Sequence, residues 1–188
     1  MNSPLFDAGV ERALRASLDA HETQFRKGSA IPYVSHPVHV AMMLTRMGCD
    51  AGMVQAGLLH DVIEDCEGWT GERVRQEFGE DVAGLVEELT EAPGASWEER
   101  KQAAVDHAAT MSPRAATIKA CDKLHNLSTL VIALEESADS ASVWKHFSRG
   151  PESTIEMSSG LIQALAKRVD PDLAEELLRV LGRLQAVC

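Results

Sequence analysis

The segment Leu58-Leu59-His60-Asp61-Val62-Ile63-Glu64-Asp65 sets a histidine and three carboxylates into an otherwise apolar stretch. On one continuous helix, residues four apart share a face, so the spacing predicts His60 beside Glu64 and Asp61 beside Asp65. Solvated helix faces usually mix lysine or arginine among their acids, and this one has neither. Two residues elsewhere extend the constellation. His36 opens one expected helix, and Asp122 lies in the apolar run Ile118-Lys119-Ala120-Cys121-Asp122-Lys123-Leu124. Two neutral imidazoles and two carboxylates suit a divalent first-row metal with open positions. Such an ion lowers the pKa of bound water and provides a nucleophile near neutral pH. Glu64 and Asp65 could then orient that water and move its proton. The competing reading is structural, because a His-Asp dipeptide on an apolar helix is often a hydrogen-bonded pair.

The elements that must position these residues read as helices almost from end to end. A first amphipathic helix is expected from about Leu5 to Phe25, with Leu14, Leu18 and Phe25 on its apolar side. Glycine and proline between Gly28 and Tyr33 break that pattern. Ser35-His36-Pro37 reads as a helix start, with serine as cap and proline in the first turn. That helix ends at Gly48, and Asp50 can cap the next one, which should carry both acidic pairs. Short helices are expected over Thr70–Phe78 and Glu80–Glu91 with Gly79 between them, followed by the linker Ala92-Pro93-Gly94-Ala95. Ser96-Trp97-Glu98-Glu99 has the pattern of a capping box, and Ser112-Pro113 opens the helix of Asp122. Gly150-Pro151 and Asp170-Pro171 punctuate the remainder, where Leu161, Leu165, Leu173, Leu177 and Leu181 read as core. The expectation is one all-α domain over residues 1–188, built from roughly eight to ten helices.

Composition agrees and excludes several classes. Of 188 residues 45% are hydrophobic, enough for a packed core, while aromatics at 4% disfavour a β-rich protein. A net charge of −11 argues against a broad nucleic-acid surface, although a polyanionic small molecule remains compatible with local cations and a metal. Met1 to Val10 has neither a basic start nor an apolar stretch, and no run reaches membrane-spanning length. Cys49, Cys66, Cys121 and Cys188 are dispersed without a C-x-x-C pair, which fits reduced thiols and a cytoplasmic setting.

The order His36, His60-Asp61, Asp122 resembles the H…HD…D pattern of the HD phosphohydrolase superfamily. Further motifs narrow the likeness: His21-x-x-Gln24-x-Arg26-Lys27, Pro32-Tyr33-x-x-His36-Pro37, Leu58-Leu59-His60-Asp61-x-x-Glu64-Asp65, Phe78-Gly79 with Val82, and Asp122-Lys123-Leu124-His125-Asn126-Leu127. Together they resemble the RelA/SpoT hydrolase domain, and most of all its stand-alone small alarmone hydrolases. The motif-bearing core runs over residues 21–130, and the helices of 131–188 carry no motif. On this resemblance the 188 residues are expected to hold the hydrolase domain without the synthetase domain of the long members.

The resemblance implies an HD-domain helical bundle and a manganese-dependent 3′-pyrophosphohydrolase that converts (p)ppGpp to GDP or GTP. It implies His36, His60, Asp61 and Asp122 as metal ligands and Glu64 and Asp65 as the catalytic pair. Arg26, Lys27, Asn126 and Thr129 become substrate contacts, with arginine near the base and lysine near phosphate. The implied partner is a small nucleotide, with no nucleic acid and no membrane, and homo-oligomerisation is left open. Two alternatives stand beside it: an HD-type phosphohydrolase acting on NADPH or another nucleotide, and a non-catalytic alarmone sensor. The chain departs from the family form in the loop Gly28-Ser29-Ala30-Ile31, in Cys66 where threonine is usual, and in Lys123 for a frequent arginine.

Other residues read more plainly. His21 should brace the Arg26-Lys27 loop, and His39, His107 and His146 read as ordinary surface or packing histidines. His125 reads either as pocket lining or as a structural hydrogen-bonding group. Met42, Met43 and Met47 read as core filling. Trp144 and Phe147 should pack the C-terminal helices, and Glu87-Glu88 and Glu135-Glu136 read as solvated faces.

Overall fold

The computed structural model describes residues 5–91, 97–147 and 149–187. The protein is all-α: the described residues form ten helices and one single-turn piece, and the one bridge among them pairs Phe25 with Pro32. Two compact units emerge. One takes the described residues up to Arg26 together with Ala30–Thr90, the other takes Lys27–Ser29 and the described residues from Glu91 onward. The expected linker Ala92–Ala95 and the capping residue Ser96 lie outside the described residues.

In the first unit, α1 (Ala8–Ala20) starts where Asp7 accepts the amides of Gly9 and Val10, both at 2.9 Å. It is therefore shorter at both ends than the hydrophobic pattern suggested. Its buried stripe runs through Ala13, Ser17 and then His21, while Leu18 and Phe25 are 46% and 57% exposed. Phe25 leaves the expected apolar side because the chain turns at His21 into the loop that the Phe25–Pro32 bridge closes. The next helix, α2 (Ser35–Arg46), buries His36, Pro37, Val40, Ala41 and Leu44. Val34 rather than Ser35 occupies its cap position, without a side-chain bond. Met42 and Met47 are 62% and 40% exposed, so these two do not fill the core: they fall outside the Val40–Leu44 stripe.

The capping role of Asp50 is borne out, its carboxylate accepting the Met53 amide at 3.0 Å to open α3 (Ala51–Leu59). This helix packs against α1, α2 and the later helix α6 (Glu80–Leu89) and is apolar nearly all round. Gly57 permits close approach to α2, since a Cβ there would stand 2.6 Å from Leu44 Cδ1. The single continuous helix expected through Asp65 does not form. It stops at Leu59, and a separate turn, α4 (Val62–Asp65), follows. The break falls on His60 and Asp61, where Asp61 takes φ −101° and ψ −5°. The physical reason is local: the His60 ring bonds the Gly57 carbonyl at 2.8 Å, so the side chain takes up an acceptor at the helix end. Then come α5 (Gly71–Phe78), capped by Thr70, and α6 (Glu80–Leu89), joined through Gly79 at φ +88°, a region open to glycine at little cost.

The second unit is organised around α8 (Pro113–Glu136), which Ser112 caps through the Ala115 amide at 3.2 Å. Against it pack α9 (Ser140–Trp144), α10 (Gly150–Leu165) and α11 (Pro171–Val187), while α7 (Trp97–Thr110) packs on α10. Leu161, Leu165, Leu173, Leu177 and Leu181 are all buried, as their spacing implied. Arg183 ties α11 to Glu135 of α8 at 2.7 Å. No helix among the described residues is long and apolar enough to cross a membrane.

Candidate functional site

In the first unit, the start of α2 and the end of α3 bring two imidazoles together. The Nε2 atoms of His36 and His60 are 3.2 Å apart, and both residues are buried. The Gly57 carbonyl can only accept a hydrogen bond, so His60 Nδ1 carries a proton, which leaves Nε2 as the atom turned towards His36. Asp61 closes the group, its Oδ2 lying 3.1 Å from His60 Nε2 and 3.6 Å from His36 Nε2. Donors held about 2.1 Å from one ion at ordinary bond angles would stand about 3.0–3.4 Å apart. Two of the three separations fall in that range, the third, at 3.6 Å, is slightly wider, and the ligand types suit a divalent ion.

The break at His60-Asp61 is what aims the carboxylate. The Asp65 amide donates to the Asp61 carbonyl at 2.9 Å, which fixes the α4 turn and exposes Glu64 and Asp65 on it. Gln24 Nε2 holds the Asp65 carbonyl at 2.7 Å, and its Oε1 accepts from His21 Nδ1 at 2.8 Å. His21 thus braces the loop, as its position suggested. Partial desolvation, followed by the charge of Asp61, pushes the Asp65 carboxyl above its ordinary value, while His21, Tyr33 and His60 oppose the shift. The Arg26 guanidinium lies 5.5 Å over the ring of Tyr33.

In the second unit, Asp122 is 4% exposed on α8. Asn126 Nδ2 donates to its Oδ1 at 2.5 Å, and Lys123 and Lys119 place ammonium groups 3.1 and 3.9 Å from Oδ2, compensating a buried charge. Lys123 and Asn126 also stand at a cavity of about 340 Å³, whose apolar lining includes Leu127, Leu130, Phe147 and Met157. That size and mixture of apolar walls with a few polar groups suits a flat heterocycle. Lys27 belongs to this unit, its ammonium 5.7 Å from the Phe147 ring centroid. Thr129 turns its hydroxyl to its own helix, donating to the carbonyls of His125 and Asn126 at 3.0 and 3.1 Å.

A larger groove of about 570 Å³ runs along α1 and α5 past Arg12, Arg15, Arg73 and Trp69. None of the His-Asp group lines it, and Arg15 and Arg73 are engaged by Glu11 and Glu77. Two residues carried no site role in the sequence: Tyr33, whose hydroxyl donates to Asp61 Oδ2 at 2.6 Å, and Phe147, expected only to pack helices, which walls the cavity of the second unit. The signal for Tyr33 was present, since it is the chain's one tyrosine and sits one turn before His36.

Comparison with known proteins follows this geometry. The HD domain family matches residues 13–148. The guanosine-3′,5′-bis(diphosphate) 3′-pyrophosphohydrolase MESH1 of Drosophila melanogaster is 39% identical over 132 residues, covering 66% of this chain and 73% of that protein. The guanosine-3′,5′-bis(diphosphate) 3′-pyrophosphohydrolase of Haemophilus influenzae is 40% identical over 118 residues, 60% of this chain but only 17% of the longer enzyme. A solved structure, described as a metazoan ortholog of SpoT that hydrolyses ppGpp and plays a role in starvation responses, superposes with a TM-score of 0.81 at 28% identity. It covers 99% of this chain and all of the other. The resemblance read from the motifs is borne out, and the chain belongs to the HD-domain family.

Proposed function

We propose that the protein is a metal-dependent pyrophosphohydrolase that removes the 3′-pyrophosphate of (p)ppGpp, yielding GDP or GTP and pyrophosphate. The observation that carries this reading is the His36–His60–Asp61 group, three donors within 3.6 Å of one another, in a chain 39% identical to a protein named for that reaction. In this proposal Asp122 completes the ligand set and the native ion is Mn²⁺. A divalent ion held there supplies Lewis acidity and a water activated near neutral pH.

The chain's own residues would then do the following. Glu64 and Asp65, on the turn directly after Asp61, orient the attacking water and take its proton. The water oxygen joins the phosphorus attached to O3′, that P–O bond breaks, and the departing 3′ oxygen receives a proton to become the hydroxyl. Arg26 meets the base and Lys27 the phosphates, offsetting substrate charge locally although the chain as a whole is acidic. Asn126 contacts the nucleotide from α8 at the mouth of the Phe147 cavity, and Thr129 lies nearby on the same helix. The proposed setting is the cytoplasm.

The test is product identification. Metal-stripped protein incubated with ppGpp should give GDP and pyrophosphate only after Mn²⁺ is added, and Asp61→Ala should abolish this. Turnover of NADPH with ppGpp untouched would reassign the substrate, and tight ppGpp binding without any turnover would make the protein a sensor.

A further inference from the structure

The carboxylate of Asp61 is approached from two sides. The imidazole pair faces Oδ2 on one, and the phenol of Tyr33 donates to the same oxygen at 2.6 Å on the other. A carboxylate oxygen has two lone-pair directions, so one can receive the phenol while the other stays available to an ion. Tyr33 is itself held on every side. Its amide donates to the Gln24 carbonyl at 2.9 Å, and its carbonyl accepts from the His36 amide at 2.9 Å. Its ring lies 4.7 Å from the buried ring of His21 and 5.9 Å, edge-on, from that of His36. The Arg26 guanidinium covers it, and the hydroxyl also reaches within 3.5 Å of Asp65 Oδ2. A side chain so constrained has little freedom to lose when it fixes a ligand.

We propose that Tyr33 is a positioning residue: its hydroxyl presets the Asp61 carboxylate for the metal and ties that ligand to the loop carrying Arg26. The Gln24 contact to the Asp65 carbonyl completes the tie on the other side of the α4 turn. Donors beside a metal ligand orient it and adjust its basicity, so their removal weakens affinity while leaving the ligand set intact. This inference rests on the metal reading given above.

The experiment is Mn²⁺ titration of metal-stripped wild type and Tyr33→Phe by calorimetry, with ppGpp hydrolysis followed across the same Mn²⁺ range. Phenylalanine keeps the ring against His21 and Arg26 and deletes only the hydroxyl, so the melting temperature of the stripped protein should hold. The expected result is Mn²⁺ affinity about 10-fold weaker in the variant, with kcat returning to within about 2-fold of wild type at saturating Mn²⁺. Equal Mn²⁺ affinities in the two proteins would overturn the role of Tyr33, as would a loss of kcat that excess Mn²⁺ does not rescue. A wild type that binds no Mn²⁺ would instead overturn the metal reading beneath it.

Discussion

The Nε2 atoms of His36 and His60 face one another at 3.2 Å, and the Gly57 carbonyl forces the proton of His60 onto the opposite nitrogen. Two buried imidazole nitrogens this close to each other and to a carboxylate call for something cationic between them. On the proposed reading that cation is a metal, held in place before the substrate arrives.

Replacing His60 with alanine should therefore remove the metal without unfolding the protein. On that reading its ring contributes one ligand, beside one local bond to Gly57, whereas the surrounding core rests on Val40, Leu44, Leu59 and Val62. The expected result is Mn²⁺ affinity lowered by at least about 100-fold, with the helical circular-dichroism signal retained. Unchanged metal content after exhaustive dialysis would contradict this role.

Asn126 acts at two places, holding Asp122 Oδ1 at 2.5 Å and lining the Phe147 cavity. On the proposed reading, Asn126→Ala should raise KM for ppGpp and weaken Mn²⁺ binding together, each by roughly 10-fold, since one residue would serve both ligand and substrate. Steady-state kinetics at several Mn²⁺ concentrations read both effects. A change in neither would remove Asn126 from the site.

Gly28 occupies φ +71°, and a Cβ there would lie 2.6 Å from the ring of His146. Gly28→Ala should therefore strain the Lys27 loop by about 1–2 kcal/mol from the left-handed backbone alone, beyond whatever displacement His146 undergoes. The expected signature is a raised KM with a melting temperature only a few degrees lower, because the loop and His146 are exposed. A fully wild-type KM would show that the placement of Lys27 does not depend on this turn.

Burial, reinforced by the Asp65 charge, pushes the Cys66 thiol up to about 11, against the bond from Gln24. Thiolate is the reactive form, so alkylation of Cys66 in the native protein at pH 8 should be far slower than in the unfolded chain, read by mass spectrometry. The folded thiol holds its proton to higher pH than the unfolded one. The corresponding stability is complete below about pH 9 and is lost as pH rises towards about 11. Rapid native-state alkylation at pH 8 would contradict the burial assigned here.

Much of this architecture was legible in the residues. Asp50, Thr70 and Ser112 cap helices because their short side chains reach the orphan amides, and that signal is local. The leucines at helical spacing in α10 and α11 face the core for the same reason: periodicity is written in one segment at a time. What escaped depends on contacts distant in sequence or on side chains competing with the backbone. The end of α3 at Leu59 follows from one ring bonding one carbonyl, which an apolar pattern continuing through Val62 and Ile63 conceals. Met42 and Met47 looked like core by composition but sit beside the buried stripe rather than in it. Tyr33 and Asp61 are 28 residues apart, so no spacing rule joins them. Phe147 looked like helix packing and does meet Trp144 edge-on at 5.3 Å, yet its other role appears only once α8 and α10 enclose the cavity.

The central claim is attack of water at the phosphorus attached to O3′, and hydrolysis of ppGpp in ¹⁸O-labelled water tests it most directly. With Mn²⁺ present, mass spectrometry should find one labelled oxygen in the released pyrophosphate and none in GDP. Label in the 3′-hydroxyl of GDP would place the attack on carbon. Release of inorganic phosphate alone, or no metal-dependent product, would contradict the pyrophosphohydrolase reading.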